Sequence, residues 1–163
     1  MNGWRFYATV YSDGVLCELG SSPAVLNVEA TLPTAKAVDL ADPLFDENWI
    51  IKCDNGTDQN DGISSFDLSL IDSYILDGQA TTDFEVSYFL DPSDALDLSK
   101  TGITNPTTFT NTPDAAYNRN SPTTQTLELH VRVRNINSNC IADPMSFELT
   151  INTVPLLVSL PDV

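Results

Sequence analysis

The chain repeats itself once, and incompletely. Moving Phe6–Ala30 along the sequence until Cys17 reaches Cys140 sets Ala8 on Val131, Val10 on Val133, Leu26 on Leu149 and Val28 on Ile151, apolar on apolar and in phase. Each stretch reads as an alternating strand, a polar turn, a cysteine and a second alternating strand that ends near a proline, Pro33 or Pro155. Copies separated by on the order of 100 residues are whole domains in tandem, because solenoid repeats are only about 20–45 residues long. A chain of 163 residues holds one domain of about 100–150 residues and part of a second. The expected organisation is therefore the last two strands of a truncated upstream module over 1–33, an inter-module linker over 34–52, a complete module over 53–155 and an exit linker over 156–163.

Within the complete module the apolar residues alternate with polar ones at the period of a half-buried strand. Leu127, Leu129, Val131 and Val133 alternate with Glu128, His130, Arg132 and Arg134; Phe84, Val86, Tyr88 and Leu90 with Glu85, Ser87 and Phe89. Phe147, Leu149 and Ile151 alternate in the same way, and so do Phe66, Leu68 and Leu70. In the upstream part Trp4, Phe6, Ala8 and Val10 form one strand and Ala24, Leu26 and Val28 another, joined through a turn at Ser12–Gly14. Short strands of this kind separated by polar turns predict an all-β antiparallel sandwich. Helical signal is confined to Asp91-Pro92-Ser93-Asp94-Ala95-Leu96, a capping residue followed by proline at the first helical position, and to Asp42–Trp49 with Pro43 near its start. The Thr-, Asn- and Pro-rich interval Ile103–Gln125 reads as one short strand and a long loop.

Seven Lys and Arg against 23 Asp and Glu give a net charge of −16, which repels nucleic acid and anionic membrane surfaces. No apolar run reaches the roughly 20 residues a membrane span needs, so no membrane insertion is expected. The residues after Met1 lack the basic start and apolar stretch of a signal peptide, so a leader for an exported parent is expected upstream. The three cysteines fit an oxidising compartment once the repeat is taken into account. Cys53 opens the complete module and Cys140 lies near its end, so a Cys53–Cys140 disulfide is expected to close it, with the partner of Cys17 upstream. Closing a loop of that length stabilises by roughly 4–5 kcal/mol in the chain-entropy account. The alternative is three reduced cysteines packed as small hydrophobes.

Aspartates in loops offer hard oxygen ligands, and Asp58-Gln59-Asn60-Asp61-Gly62 places two aspartates and an asparagine just before a glycine. With Asp54 and Asp67 to complete the shell, Asp58, Asn60 and Asp61 form a candidate calcium site; the competing use of Asn60-Asp61-Gly62 is a plain turn. Asn55-Gly56-Thr57 matches the short N-glycosylation sequon. The single histidine, His130, alternates outward on a solvated strand face, and no phosphate loop, zinc-type cluster or nucleophile elbow is present, so no catalytic residue is assigned. Trp49, Tyr74, Phe89, Phe109 and Tyr117 either form a sugar-stacking platform or fill the core and the module junction.

Residues Cys53–Val154 resemble the Ig-like repeats of very large surface adhesins and secreted proteins that gliding and related bacteria export by type IX secretion. The resemblance is carried by Cys53-Asp54, Asn60-Asp61-Gly62, Phe66-Asp67-Leu68, Ile75-Leu76-Asp77-Gly78-Gln79, Phe84-Glu85-Val86-Ser87-Tyr88 and Asp94-Ala95. It continues through Ile103-Thr104-Asn105-Pro106, Phe109-Thr110-Asn111, Val131-Arg132-Val133, Cys140 and Phe147-Glu148-Leu149, with 4–33 resembling the closing hairpin of the preceding repeat. It implies an Ig-like antiparallel β-sandwich at the bacterial cell surface or outside the cell, non-catalytic, acting as a spacer and adhesion unit beside neighbouring repeats of the same chain and toward a surface glycan or protein ligand. The alternative function is a glycan-binding module appended to a secreted enzyme. Residues 1–33, left as half a module, are expected to dock on the complete module, pair with a partner chain or be poorly ordered.

Overall fold

The chain divides into two compact units, Met1–Leu32 and Pro33–Val163. Its structure, a computed structural model, describes residues 4–6, 24–26, 32–54, 56 and 58–154. The expected strand residues Tyr7–Val10 and Val28, the turn Ser12–Gly14, Cys17, Asn55 and Thr57 of the sequon, and the exit linker lie outside the described residues. In the first unit, β1 (Trp4–Phe6) and β2 (Ala24–Leu26) pair antiparallel, Trp4 opposite Leu26 and Phe6 opposite Ala24.

The second unit contains β3 (Ile51–Cys53), β4 (Ser65–Phe66), β5 (Phe84–Phe89), β6 (Phe109–Thr110), β7 (Gln125–Asn135) and β8 (Met145–Asn152). Four of these form one sheet in the order β3-β8-β7-β5, while β4 and β6 make a separate antiparallel pair. The two longest strands, β7 and β8, are the ones with the clearest alternation, and Leu127 faces Leu149 and Leu129 faces Phe147 across them. These residues are the repeat counterparts of Trp4, Leu26, Phe6 and Ala24, so the two copies share one register. Strands dominate and helices are short, as an all-β reading requires. The sheet is not wholly antiparallel, however: β3 runs parallel to β8, because the chain enters the unit alongside its own last strand, an arrangement open only to strands joined through a long connection.

Leu129, Val131, Val133, Leu149 and Ile151 project from the sheet into a core closed on the other side by Phe66, Leu68, Ile71, Ile75 and Leu76. The interval read as a linker contributes to this core, since Phe45 and Ile50 are buried in it and Lys36 N donates to Ile75 O at 2.9 Å. The strand expected through Phe66–Leu70 stops at Phe66. Asp67 accepts from Ser69 N and starts a 3-10 turn (Leu68–Ile71) that runs into α1 (Asp72–Leu76), the aspartate side chain capping the backbone in place of a ladder hydrogen bond. The second short helix, α2 (Pro92–Leu96), has the cap its sequence announces, with Asp91 accepting from Ser93 N and Pro92 at the first helical position. Among the described residues no helix is long and apolar enough to cross a membrane.

Arg132 departs from its expected solvated position. It is buried, its guanidinium 4.5 Å over the Phe89 ring and donating to Asp97 O and Lys100 O at 2.9 and 3.0 Å. The loop after α2 therefore covers the outer face of β7, and Arg132 fastens it there. Planar, multiply donating guanidinium suits two carbonyls and an aromatic face at once.

Candidate functional site

The two cysteines of the second unit sit at opposite poles of its sheet. Cys53 ends β3 opposite Asn152 of β8, at the end of the sheet where β7 begins. Cys140 lies past the other end of β7, where its carbonyl accepts from Asn135 N at 2.8 Å and Ile141 bridges Arg134. The length of β7, at about 3.3 Å rise per residue, separates the two poles by roughly 30 Å. A disulfide needs Cα atoms about 4.4–6.8 Å apart. The structure accordingly keeps Cys53 and Cys140 as separate thiols, the first exposed and the second half-buried, and the closure of the module by a bond between them is not formed.

The acidic loop is built around the Cys53 pole. Asp54 N donates to Asn152 O at 2.8 Å, continuing the parallel pairing of β3, and its buried side chain accepts from Gly62 N at 2.6 Å. Gly62 has a left-handed backbone, φ 76°, and its carbonyl accepts from Asn111 Nδ2 at 2.8 Å, while Asn111 Oδ1 accepts from Ser64 N at 2.7 Å. Asn60, also left-handed at φ 58°, turns its side chain inward, and Asn60 Oδ1 accepts from Val154 N at 3.0 Å. One loop thus ties down both the entering strand at Cys53 and the departing strand at Val154. Tyr117 packs over Gly62, and burial first, then the negative charges of Asp54 and Asp61, holds its phenol above the usual tyrosine range.

The five expected calcium ligands are divided among local tasks. Asp61 accepts from Ile63 N, Asp58 pairs with Arg119 at the surface, and Asp67 caps the 3-10 turn beyond β4. Asp54 and Asn60 hold backbone N–H groups, while Asp54 Oδ1 and the hydroxyl of the neighbouring Tyr117, both buried, have no hydrogen-bond partner among the described residues. Among the described residues no three His, Cys, Asp or Glu side chains gather as a metal site would need.

The aromatics do not share a face. Phe89 is buried beneath Arg132, Tyr117 packs in the acidic loop and Phe109 lies in β6, whereas Trp49 and Tyr74 come together around Phe45. Tyr88 is the other buried phenol. Its hydroxyl meets Leu68 O at 2.9 Å and Asp72 Oδ1 at 2.6 Å, and burial raises the Asp72 carboxyl above the ordinary aspartate range. His130 stands in the sheet between Phe89 and Ser146.

Residues 48–155 match the family model described as the Flavobacterium inter-domain disulphide bond domain. No curated protein matches the chain, and no solved structure matches it.

Proposed function

The chain belongs to the Flavobacterium inter-domain disulphide bond domain family, and from that membership we propose a non-catalytic extracellular repeat module whose cysteines bond to neighbouring modules rather than to each other. Cys53 pairs with the preceding repeat, whose cysteine in this chain is Cys17, and Cys140 pairs with the counterpart of Cys53 in a module that follows. The observation that carries this reading is the placement of the two thiols at opposite poles of one sheet. A thiol beside the entering strand and a thiol beyond the far end of β7 suit bonds in two directions along an array. The repeat adds that each copy carries a cysteine in the same connection, Cys17 after β1 and Cys140 after β7.

The module is read as Ig-like. Its β5-β7-β8 sheet extended by a parallel entering strand, facing the β4–β6 pair across one core, supports that arrangement. The setting is a large surface adhesin of a gliding or related bacterium exported by type IX secretion, in which such modules act as spacers. A bond between Cys17 and Cys53 closes a loop worth about 4 kcal/mol in the chain-entropy account, and it limits how far adjacent modules pivot. The acidic loop serves that coupling by holding Cys53 through Asp54 and the exit through Asn60.

Small-angle scattering of the oxidised full chain against its Cys17→Ser variant tests the mechanical role. A broader pair-distance distribution in the variant is expected; superimposable profiles would remove coupling as the module's task.

A further inference from the structure

The geometry points to a binding groove for one neutral saccharide ring beside Trp49. The groove measures about 210 Å³ and is lined by Lys36, Leu44, Trp49, Ser73, Tyr74, Asp77 and Gly78, all from the entering segment and α1 with its C-terminal turn. Trp49 lines it partly exposed, its ring edge-on to Phe45 at 5.3 Å, and Phe45 is in turn edge-on to Tyr74 at 4.9 Å. Three interlocked rings give the tryptophan a fixed position. Leu44, 75% exposed, supplies a second apolar wall for which the fold of this unit has no internal use.

The polar groups are also fixed before any ligand arrives. Lys36 Nζ lies 4.2 Å over the Tyr74 ring and 2.8 Å from Asp42 Oδ2, and the Tyr74 hydroxyl donates to the same oxygen at 3.0 Å. Asp77 ends α1 in a left-handed conformation, φ 45°, exposed beside the exposed Ser73.

Size and charge choose the ligand class. Pockets for drug-sized molecules or extended peptides run to about 300–1,000 Å³, so this groove accepts one small ring. An anion meets Asp77 and a chain of net charge −16, whereas a cation finds Asp42 already taken by Lys36 and the single exposed carboxylate of Asp77 to hold it, a weak site on its own. A neutral polyhydroxyl ring meets neither conflict: its hydroxyls donate to Asp77, accept from Lys36 and exchange with Ser73, while its C–H surface lies against Trp49 and Leu44. The groove uses neither thiol, so this proposal and the disulfide coupling of modules fail independently.

The chain has two tryptophans, and a Trp4→Phe background leaves Trp49 as the sole reporter. Fluorescence titration of the full chain with the methyl glycosides of glucose, galactose, mannose and N-acetylglucosamine is expected to give a saturable change for at least one of them, with a millimolar dissociation constant. Asp77→Asn retains the left-handed turn, since Asn tolerates that conformation, and is expected to weaken binding about tenfold through loss of the charged acceptor. Ser73→Ala, at an exposed site, is expected to weaken it less. Absence of a saturable change with every neutral glycoside, binding confined to glucuronate or glucosamine, or an unchanged affinity in Asp77→Asn would each overturn the assignment.

Discussion

Replacing Gly62 by alanine strikes the joint between the acidic loop and the Cys53 pole. Gly62 has φ 76°, and a Cβ built there lies 3.0 Å from Tyr117 Cε1 and 3.1 Å from Pro113 Cβ. A left-handed L-residue costs roughly 1–2 kcal/mol. The crowding adds about 1 kcal/mol, the low end for overpacking, because Tyr117 is only half-buried and its ring has room to yield. Gly62→Ala is therefore expected to destabilise the second unit by about 2–3 kcal/mol, or roughly 6–12 °C in melting midpoint. Gly56 lies in the same loop with nothing within 4 Å of its Cβ position and no left-handed φ, so Gly56→Ala is expected to be neutral or stabilising by up to about 1 kcal/mol. Urea unfolding followed by Trp49 fluorescence in the Trp4→Phe background measures both. A loss below about 0.5 kcal/mol for Gly62→Ala, or equal losses for both variants, would refute the assignment of strain to the Gly62 joint.

Two further outcomes are expected. Because burial raises the Asp72 carboxyl in the folded chain, its contribution to stability is fully present below the ordinary aspartate pKa of about 3.9 and is lost as pH rises through the elevated value. Asp72→Asn, whose amide can donate to the Tyr88 oxygen, should accordingly gain stability relative to the parent as pH climbs from 4 to 7, read by urea midpoints at each pH; a difference that does not change with pH would contradict this. Calcium in the millimolar range is expected to leave the melting midpoint of the full chain within about 1 °C of its value in EDTA, since each of the five candidate ligand side chains is already engaged by a backbone N–H or by Arg119. A rise of several degrees, lost in Asp54→Asn, would reinstate the loop as a cation site through the unpartnered Asp54 Oδ1.

The sequence was most legible where one physical signal acts alone. The strict alternation of Leu127–Arg134 and Phe147–Asn152 marks β7 and β8, and the tandem repeat extends to the pairing itself, Trp4 with Leu26 as Leu127 with Leu149. Asp91-Pro92 marks α2 because cap and proline agree. Elsewhere two signals compete. Phe66, Leu68 and Leu70 alternate like a strand, but Asp67 and Ser69 cap a helical turn locally, and the cap prevails where the strand has only β6 to pair with. Arg132 occupies a solvent-facing phase of its strand and is buried by a loop whose two accepting carbonyls lie 35 and 32 residues away in sequence, which periodicity does not register. Phe45 and Ile50 enter the core from a segment whose prolines read as a linker. The candidate site follows the same division. Two cysteines in one module are compatible in sequence with closing it, and only the run of β7 between their poles separates them.

The coupling of modules is tested most directly by non-reducing peptide mapping of the oxidised, full-length chain by mass spectrometry. The account predicts a peptide pair joined through Cys17 and Cys53, with Cys140 left reactive to alkylation in this chain or bonded to a second molecule. A Cys53–Cys140 pair in the folded monomer would contradict it, since no single sheet of the observed register brings those residues together.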